Sequence, residues 1–237
     1  VIPPVEDLTS VFTDAFVLNK PRDIVSGDFY WLARRDNLIF LAAADCTGHG
    51  VPGAFMSMLG IASLNEIVNS IDCQCDAGII LNKLRDKIKT SLRQEGKVGE
   101  TKDGMDMAFC IIDLENMRLN YAGAYNPLWL IRNGELFPYV ADKMPIGVYI
   151  NDAKDFKNNE IDLQKDDRFY VFSDGYVDQF GGEKGRKFLT KNLKELLLDI
   201  HTLDFADQKA KLDETMENWK GSKYNQIDDI LVIGFKI

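Results

Sequence analysis

The sequence predicts one layered α+β domain, and three observations carry that reading. Strand-like apolar blocks alternate with pairs of helix-like stretches, no Gly/Ser/Pro-rich linker divides the 237 residues, and 46% hydrophobic content is enough for a substantial core. There is no internal repeat or low-complexity tract.

The elements follow in order. Residues 11–18 and 29–33 read as strands, and 38–44 is an unbroken apolar run of the kind a sheet buries on both faces. Pro52 suits the first turn of a helix whose body, 54–71, is apolar on most sides and should be largely buried. Asp76 is placed to cap a second helix carrying Ile80, Leu84, Ile88 and Leu92 at helical spacing and ending near Gly96. Strands resume at 105–113, 117–122 and 128–131, with an Asn133-Gly134 turn leading into 135–139. A polar stretch, 151–160, precedes a strand at 168–172. Two helices follow, one carrying Phe188, Leu189, Leu193, Leu196, Leu197 and Ile200, the other Phe205, Leu212, Met216 and Trp219 with a stop at Gly221. The last strand is 230–235.

Composition removes several classes of chemistry. With only His49 and His201, three-histidine zinc centres and two-histidine oxygenase sites lack their ligands, so any metal must be held mostly by oxygen. Asp plus Glu is 37 against 28 Lys plus Arg, a formal charge of −9, and no basic stripe is present to track a phosphate backbone, which argues against nucleic acid. The four cysteines, Cys46, Cys73, Cys75 and Cys110, are too few for a disulfide scaffold and read as reduced thiols of a cytoplasmic protein. No run approaches the ~20 apolar residues of a membrane span, so no membrane contact by this domain is expected. The Val1-Ile2-Pro3-Pro4 opening suggests that 1–15 is an entry segment from a removed upstream region and 16–237 the domain proper.

The informative pattern is aspartates at strand edges: Gly27-Asp28 before one strand, Asp45 after another, Ser173-Asp174-Gly175 after a third, Asp228-Asp229 before the last. Any one of them has a plain reading as a turn or cap residue. If Asp36-Asn37 is a two-residue hairpin turn, however, facing residues have numbers summing to 73, which sets Arg35 opposite Leu38, Trp31 opposite Ala42 and Asp28 opposite Asp45. Facing carboxylates have Cβ atoms roughly 4.5–5.5 Å apart and repel unless a cation lies between them. Asp45 also opens a Gly-rich turn, Asp45-Cys46-Thr47-Gly48-His49-Gly50, where an exposed carbonyl can ligate a hard cation. The turn is not a phosphate-binding P-loop, since Gly-Lys-Ser/Thr is missing.

Six segments in order resemble the metal-dependent serine/threonine protein phosphatases of the PPM family, in the bacterial SpoIIE/RsbU-like branch. They are Val25-Ser26-Gly27-Asp28-Phe29-Tyr30-Trp31, Ala44-Asp45-Cys46-Thr47-Gly48-His49-Gly50-Val51-Pro52, Tyr121-Ala122-Gly123-Ala124-Tyr125-Asn126-Pro127, Pro145-Ile146-Gly147, Phe172-Ser173-Asp174-Gly175 and Asp228-Asp229-Ile230. The resemblance implies a four-layer α/β/β/α sandwich of two stacked antiparallel sheets flanked by helix pairs, with two Mn²⁺ or Mg²⁺ ions at one edge. Carried over by position, Asp45 bridges both ions, Asp28 and the Cys46 carbonyl bind one, and Asp174 and Asp228 bind the other. Asp229 then stands behind Asp228 or takes its place. Asp103 resembles the aspartate that holds a third, looser ion in some relatives, and reads equally as an Asp-Gly turn. The implied reaction is hydrolysis of phosphoserine or phosphothreonine by a hydroxide bridging the ions, with no protein nucleophile. His49 is a candidate general acid, or a phosphate contact; Lys20 and Arg22 are the cations near the place where animal members grip phosphate with an arginine. The implied substrate is a small STAS-domain anti-sigma-factor antagonist. The resemblance also implies an N-terminal sensor region, a homodimer as one possible assembly, and low basal activity until a regulatory contact orders the site. The alternatives are a catalytically silent PPM-fold signalling module and, more weakly, a two-metal phosphodiesterase or nucleotidyl cyclase.

Overall fold

The computed structural model describes residues 8–70, 76–95, 102–149 and 154–237. In chain order the elements are β1 (Asp14–Lys20), β2 (Phe29–Arg35), β3 (Leu38–Cys46), α1 (Gly50–Ser70), α2 (Ala77–Ser91), β4 (Met105–Asp113), β5 (Arg118–Ala124), β6 (Leu128–Arg132), β7 (Glu135–Tyr139), β8 (Asn159–Asp162), β9 (Arg168–Phe172), α3 (Gly175–Asp178), β10 (Phe180–Gly181), β11 (Arg186–Lys187), α4 (Thr190–Ile200), α5 (Phe205–Lys220) and β12 (Ile230–Lys236). Two five-stranded antiparallel sheets form, ordered β1-β12-β9-β6-β7 and β2-β3-β4-β5-β8, with β10 and β11 as a separate hairpin.

Three buried clusters separate four layers. Leu41, Ile112, Leu130, Val171 and Ile233 fill the space between the sheets. Phe40, Phe109, Leu64, Ile80 and Leu84 join the outer face of one sheet to α1 and α2. Tyr170, Val232, Leu193, Leu197 and Leu212 join the other sheet to α4 and α5. The unbroken run in β3 is explained by this arrangement, because Phe40, Ala42 and Ala44 face the helices while Ile39, Leu41 and Ala43 face the opposite sheet. Local signals act as their chemistry requires: the Asp76 carboxylate accepts from the Ile79 amide at 2.8 Å, and Asn133-Gly134 turns with φ of 53° and 78°.

Several boundaries differ from those the sequence suggests. β1 opens at Asp14 rather than at 11, and Leu8 and Phe12 pack into the intersheet core ahead of it. Phe188 and Leu189 precede α4 because their amides pair back to Gln179 and Val177, closing the β10–β11 hairpin. β8 lies in the stretch read as polar, since an edge strand buries only Ile161. α2 ends at Ser91, and the suggested stop at Gly96 lies outside the described residues, as do Cys73 and Cys75. α1 is long and apolar enough to cross a membrane, contrary to the expectation from the sequence, but half of its most apolar window is buried within the fold.

Candidate metal centre

The β2–β3 hairpin has the predicted register: Arg35 faces Leu38, Trp31 faces Ala42 and Phe29 faces Ala44, which leaves Asp28 one step beyond the ladder beside Asp45. Asp36 takes the positive φ (54°) that a tight hairpin turn demands. On its other side β3 pairs with β4, and there Asp45 faces Asp106. The second sheet contributes from β9 and β12. Ser173 stitches these strands together, its amide donating to Leu231 O and its hydroxyl accepting from the Leu231 amide, both at 3.0 Å. Asp174 follows Ser173, and Asp228 and Asp229 directly precede β12. Strand ends from both sheets thus converge on one edge of the sandwich.

Asp45 lies at the centre, hydrogen-bonded to Asp28 and to Asp174. Two carboxyl groups can share a hydrogen bond only when one carries a proton. Burial, with the charges of Asp28, Asp174, Asp228 and Asp106, pushes Asp45 up to about 10, so Asp45 carries the proton, and its single O–H serves one of the two neighbours at a time. Burial is also the main cause for Asp28 and Asp106, each raised to about 7, the first also by Asp229 and Asp228 and the second by Asp174. Asp174 and Asp228 shift upward for the same reason. Asp28 is 2% exposed, and its Oδ2 has no hydrogen-bond partner among the described residues. A buried carboxylate oxygen without a donor is costly unless a cation completes it.

Asp228 and Asp229 separate clearly. Asp229, also 2% exposed, accepts the Arg22 amide on Oδ1 and the Gly27 amide on Oδ2, both at 2.7 Å, and so ties down the loop that leads into Asp28. Asp228 is half-buried and accepts only the Asp229 amide through Oδ1, at 2.9 Å. Both oxygens of Asp229 are thus engaged by backbone amides, whereas Asp228 keeps an oxygen uncommitted among the described residues. The glycines let these loops touch. A Cβ on Gly53 would lie 2.3 Å from Gly48 O, and one on Gly175 would lie 1.9 Å from Asp229 O. A Cβ on Gly27 would lie 2.6 Å from Gly48 O and 3.4 Å from Cys46 O, which places the Cys46 carbonyl beside the residue preceding Asp28. The Cys46 thiol is buried and its pKa is pushed up by that burial, so the thiol is held protonated.

Around the rim, His49 Nδ1 lies 2.6 Å from Asp23 Oδ2. Arg22 and, less strongly, His49 partly offset the upward shift of Asp228. Lys20 is turned away onto α5, where it pairs with Asp213 and Glu217. Asp103 stands beside the loop after Asp45, its Oδ1 3.4 Å from the Thr47 hydroxyl, whereas Asp106 is the residue on that segment close enough to Asp174 to feel its charge. Tyr125, held at φ 56°, is close enough to Asp106 to feel its charge. His201 caps the end of α4, its Nδ1 2.6 Å from Leu198 O, and belongs to no site. Sequence reasoning missed Asp106 and Asp23. Asp106 sits in an apolar strand with nothing beside it to signal chemistry, and it becomes legible only once the β3–β4 register is known.

Among the described residues no three His, Cys, Asp or Glu side chains already converge on one point as a ligand set. The donors nevertheless fit hard cations. All are oxygens, one is buried and orphaned, and the side chains are held together by a proton where a divalent ion would serve better.

The model of the family described as "Stage II sporulation protein E (SpoIIE)" matches residues 35–237. No curated protein sequence matches the chain. Among solved structures, the SiaA-PP2C domain of Pseudomonas aeruginosa superposes with a TM-score of 0.87 at 28% identity, covering 99% of this chain and 90% of that one. The PP2C phosphatase domain and regulatory fragment of SpoIIE from Bacillus subtilis gives 0.74 at 20% identity, covering 94% of this chain and 63% of that one. RsbX, solved in complex with magnesium, gives 0.62 at 14% identity, covering 94% of each chain. The latter two likenesses show a common fold alone. The family match, the two five-stranded sheets and the aspartates at their shared edge together establish that the chain belongs to the SpoIIE family of PP2C-type phosphatase domains, in the bacterial SpoIIE/RsbU branch.

Proposed function

We propose that this chain is a Mn²⁺- or Mg²⁺-dependent phosphatase acting on phosphoserine or phosphothreonine in a protein. The observation that carries the reading is the orphaned, buried Oδ2 of Asp28 within a ring of carboxylates that raise one another's pKa. That arrangement is expensive in the metal-free protein and is resolved by divalent charge. Asp28, Asp45 and the Cys46 carbonyl would hold one ion, and Asp45, Asp174 and Asp228 the other. For a third ion Asp103 remains the candidate from the resemblance, and the place of Asp106 opposite Asp45, within reach of the Asp174 charge, adds Asp106. Ions bound there supply Lewis-acid stabilisation of phosphoryl oxygens and lower the pKa of water.

The chain's own residues do the rest. Asp229 fixes the loop that carries Asp28, and the Gly27, Gly48 and Gly53 contacts lock the turn that carries the Cys46 carbonyl. Arg22 and His49, which both act on Asp228, are the groups assigned to meet a phosphate dianion. His49 is the group available to protonate the leaving oxygen. The substrate reading, a STAS-domain anti-sigma-factor antagonist, is supported by the branch resemblance, as are cytoplasmic action and attachment to an upstream sensor. A divalent-metal titration with phospho-STAS proteins and p-nitrophenyl phosphate tests the activity. Metal-dependent turnover that is lost in Asp45→Asn is the expected result. Metal binding without turnover on any phosphoester would favour a silent signalling module.

A further inference from the structure

His49 and Asp23 form a dyad at the mouth of the centre that the metal ligands do not account for. Their side chains are half exposed, at 47% and 44%, and a single surface hydrogen bond is ordinarily a weak constraint. Here both loops are anchored. Asp23 lies in the loop pinned at the Arg22 and Gly27 amides by Asp229. His49 lies between Gly48 and Gly50, whose φ values of 83° and 64° set the turn, and a Cβ on Gly50 would come 3.4 Å from Asp23 Oδ2. The carboxylate engages Nδ1 at 2.6 Å, and Nε2 makes no hydrogen bond among the described residues. The imidazole is close enough to Asp228 to act on it electrostatically.

We propose that Asp23 is a positioning residue that holds the His49 ring by Nδ1, keeping Nε2 available to the leaving oxygen of the substrate. The proposal rests on the phosphatase reading above. A water oxygen forms the new P–O bond and releases one proton to solvent. The bond from phosphorus to the seryl or threonyl Oγ breaks, its electron pair stays on Oγ, and Oγ takes the proton from Nε2 of the protonated imidazole. His49 is left neutral, its remaining proton on Nδ1 facing Asp23, and is recharged from solvent. Without Asp23 the ring is free to flip and to exchange tautomers, and the donor is misplaced for much of the time.

The test compares two leaving groups in the intact chain with Mn²⁺. A serine alkoxide needs a proton to depart, whereas p-nitrophenolate scarcely does. Asp23→Asn and His49→Gln should each lower kcat on a phosphoserine peptide by about 10²-fold. Their loss on p-nitrophenyl phosphate should be smaller by at least about tenfold, and the double variant should be no worse than His49→Gln alone. Equal losses on both substrates, or no loss for Asp23→Asn on the peptide, would overturn the proposal. A second measurement is independent of turnover. With only two histidines in the chain, ring ¹⁵N spectra assign His49 directly by its disappearance in His49→Gln. The wild type should keep the His49 proton on Nδ1, and Asp23→Asn should redistribute it; a tautomer unchanged by Asp23→Asn refutes the dyad. If the wild type hydrolyses neither substrate the phosphatase reading fails, while the spectra still decide whether Asp23 fixes His49.

Discussion

Strand β9 has an aspartate just beyond each end, Asp167 buried and Asp174 exposed, and the two ends are treated in opposite ways. Asp167, just before it, is 1% exposed and fully answered: Arg132 donates to its two oxygens at 2.7 and 2.6 Å, and the Gln164 amide adds a bond at 2.8 Å. Asp174, just past its other end and about 20 Å away by strand rise, is surrounded by more aspartates. The charges of Asp178 and Asp228 oppose its own, against which it has the hydrogen bond with Asp45 and the more distant charge of Lys187. One end of the sandwich pairs its charge internally, and the other is built to receive charge from outside.

The largest effect is expected at the unanswered end. Asp45→Asn removes the central donor, and a two-metal centre deprived of its bridge should lose on the order of 10³-fold or more in metal-dependent turnover. Calorimetry with Mn²⁺ should show the binding weakened in parallel, and an unimpaired enzyme would rule out the assignment. At the answered end, Arg132→Met strands a buried carboxylate and should cost about 3 kcal/mol in denaturant unfolding. Metal affinity should be untouched, since nothing at that end reaches the centre.

Removal of metal sharpens the contrast through pH. Asp28 and Asp106 are raised to about 7 from an unfolded value near 4. The folded state therefore holds these protons more tightly than the unfolded chain. Their contribution to stability is fully present below about pH 4 and is lost as pH rises through 7. Thermal melts in chelator should show the apo domain losing several degrees between pH 5 and 8, and Mn²⁺ should reverse the trend by binding the deprotonated form. A flat or rising melting temperature in chelator would mean that the carboxylates are not mutually strained.

How much of this was legible in the sequence depends on whether a residue's role is local. The Asp28–Asp45 juxtaposition could be read because one two-residue turn fixes the whole hairpin register. The four-layer arrangement followed from motif order, and both-sided burial of β3 from its unbroken apolar run. Asp106 could not be read, since its position opposite Asp45 depends on the pairing of β3 with β4 across both long helices. The choice between Asp228 and Asp229 was equally closed, because it turns on which carboxylate meets the amides of Arg22 and Gly27, some two hundred residues earlier.

The subtlest contrast is between Asp28 and Asp229, which are equally buried at 2% exposure but differ in what their oxygens meet. Both Asp229 oxygens accept backbone N–H groups, so an asparagine there would turn an amide N–H₂ toward a donor and lose one bond. Asp229→Asn should destabilise the metal-free domain by about 1–2 kcal/mol and, by loosening the loop before Asp28, weaken Mn²⁺ binding about 10–100-fold. Asp28 has hydrogen bonds from Ser173 and Asp45 but one oxygen without a partner among the described residues, and the negative charges of Asp229 and Asp228 beside it. Asp28→Asn should therefore stabilise the metal-free domain, by about 1 kcal/mol, because it removes a buried charge from a like-charged ring, while abolishing the ion that the charge serves. Opposite signs at equal burial, measured by unfolding in chelator, would separate a carboxylate that supports the fold from one that the fold tolerates for its ligand. The same sign for both would mean that burial alone governs them.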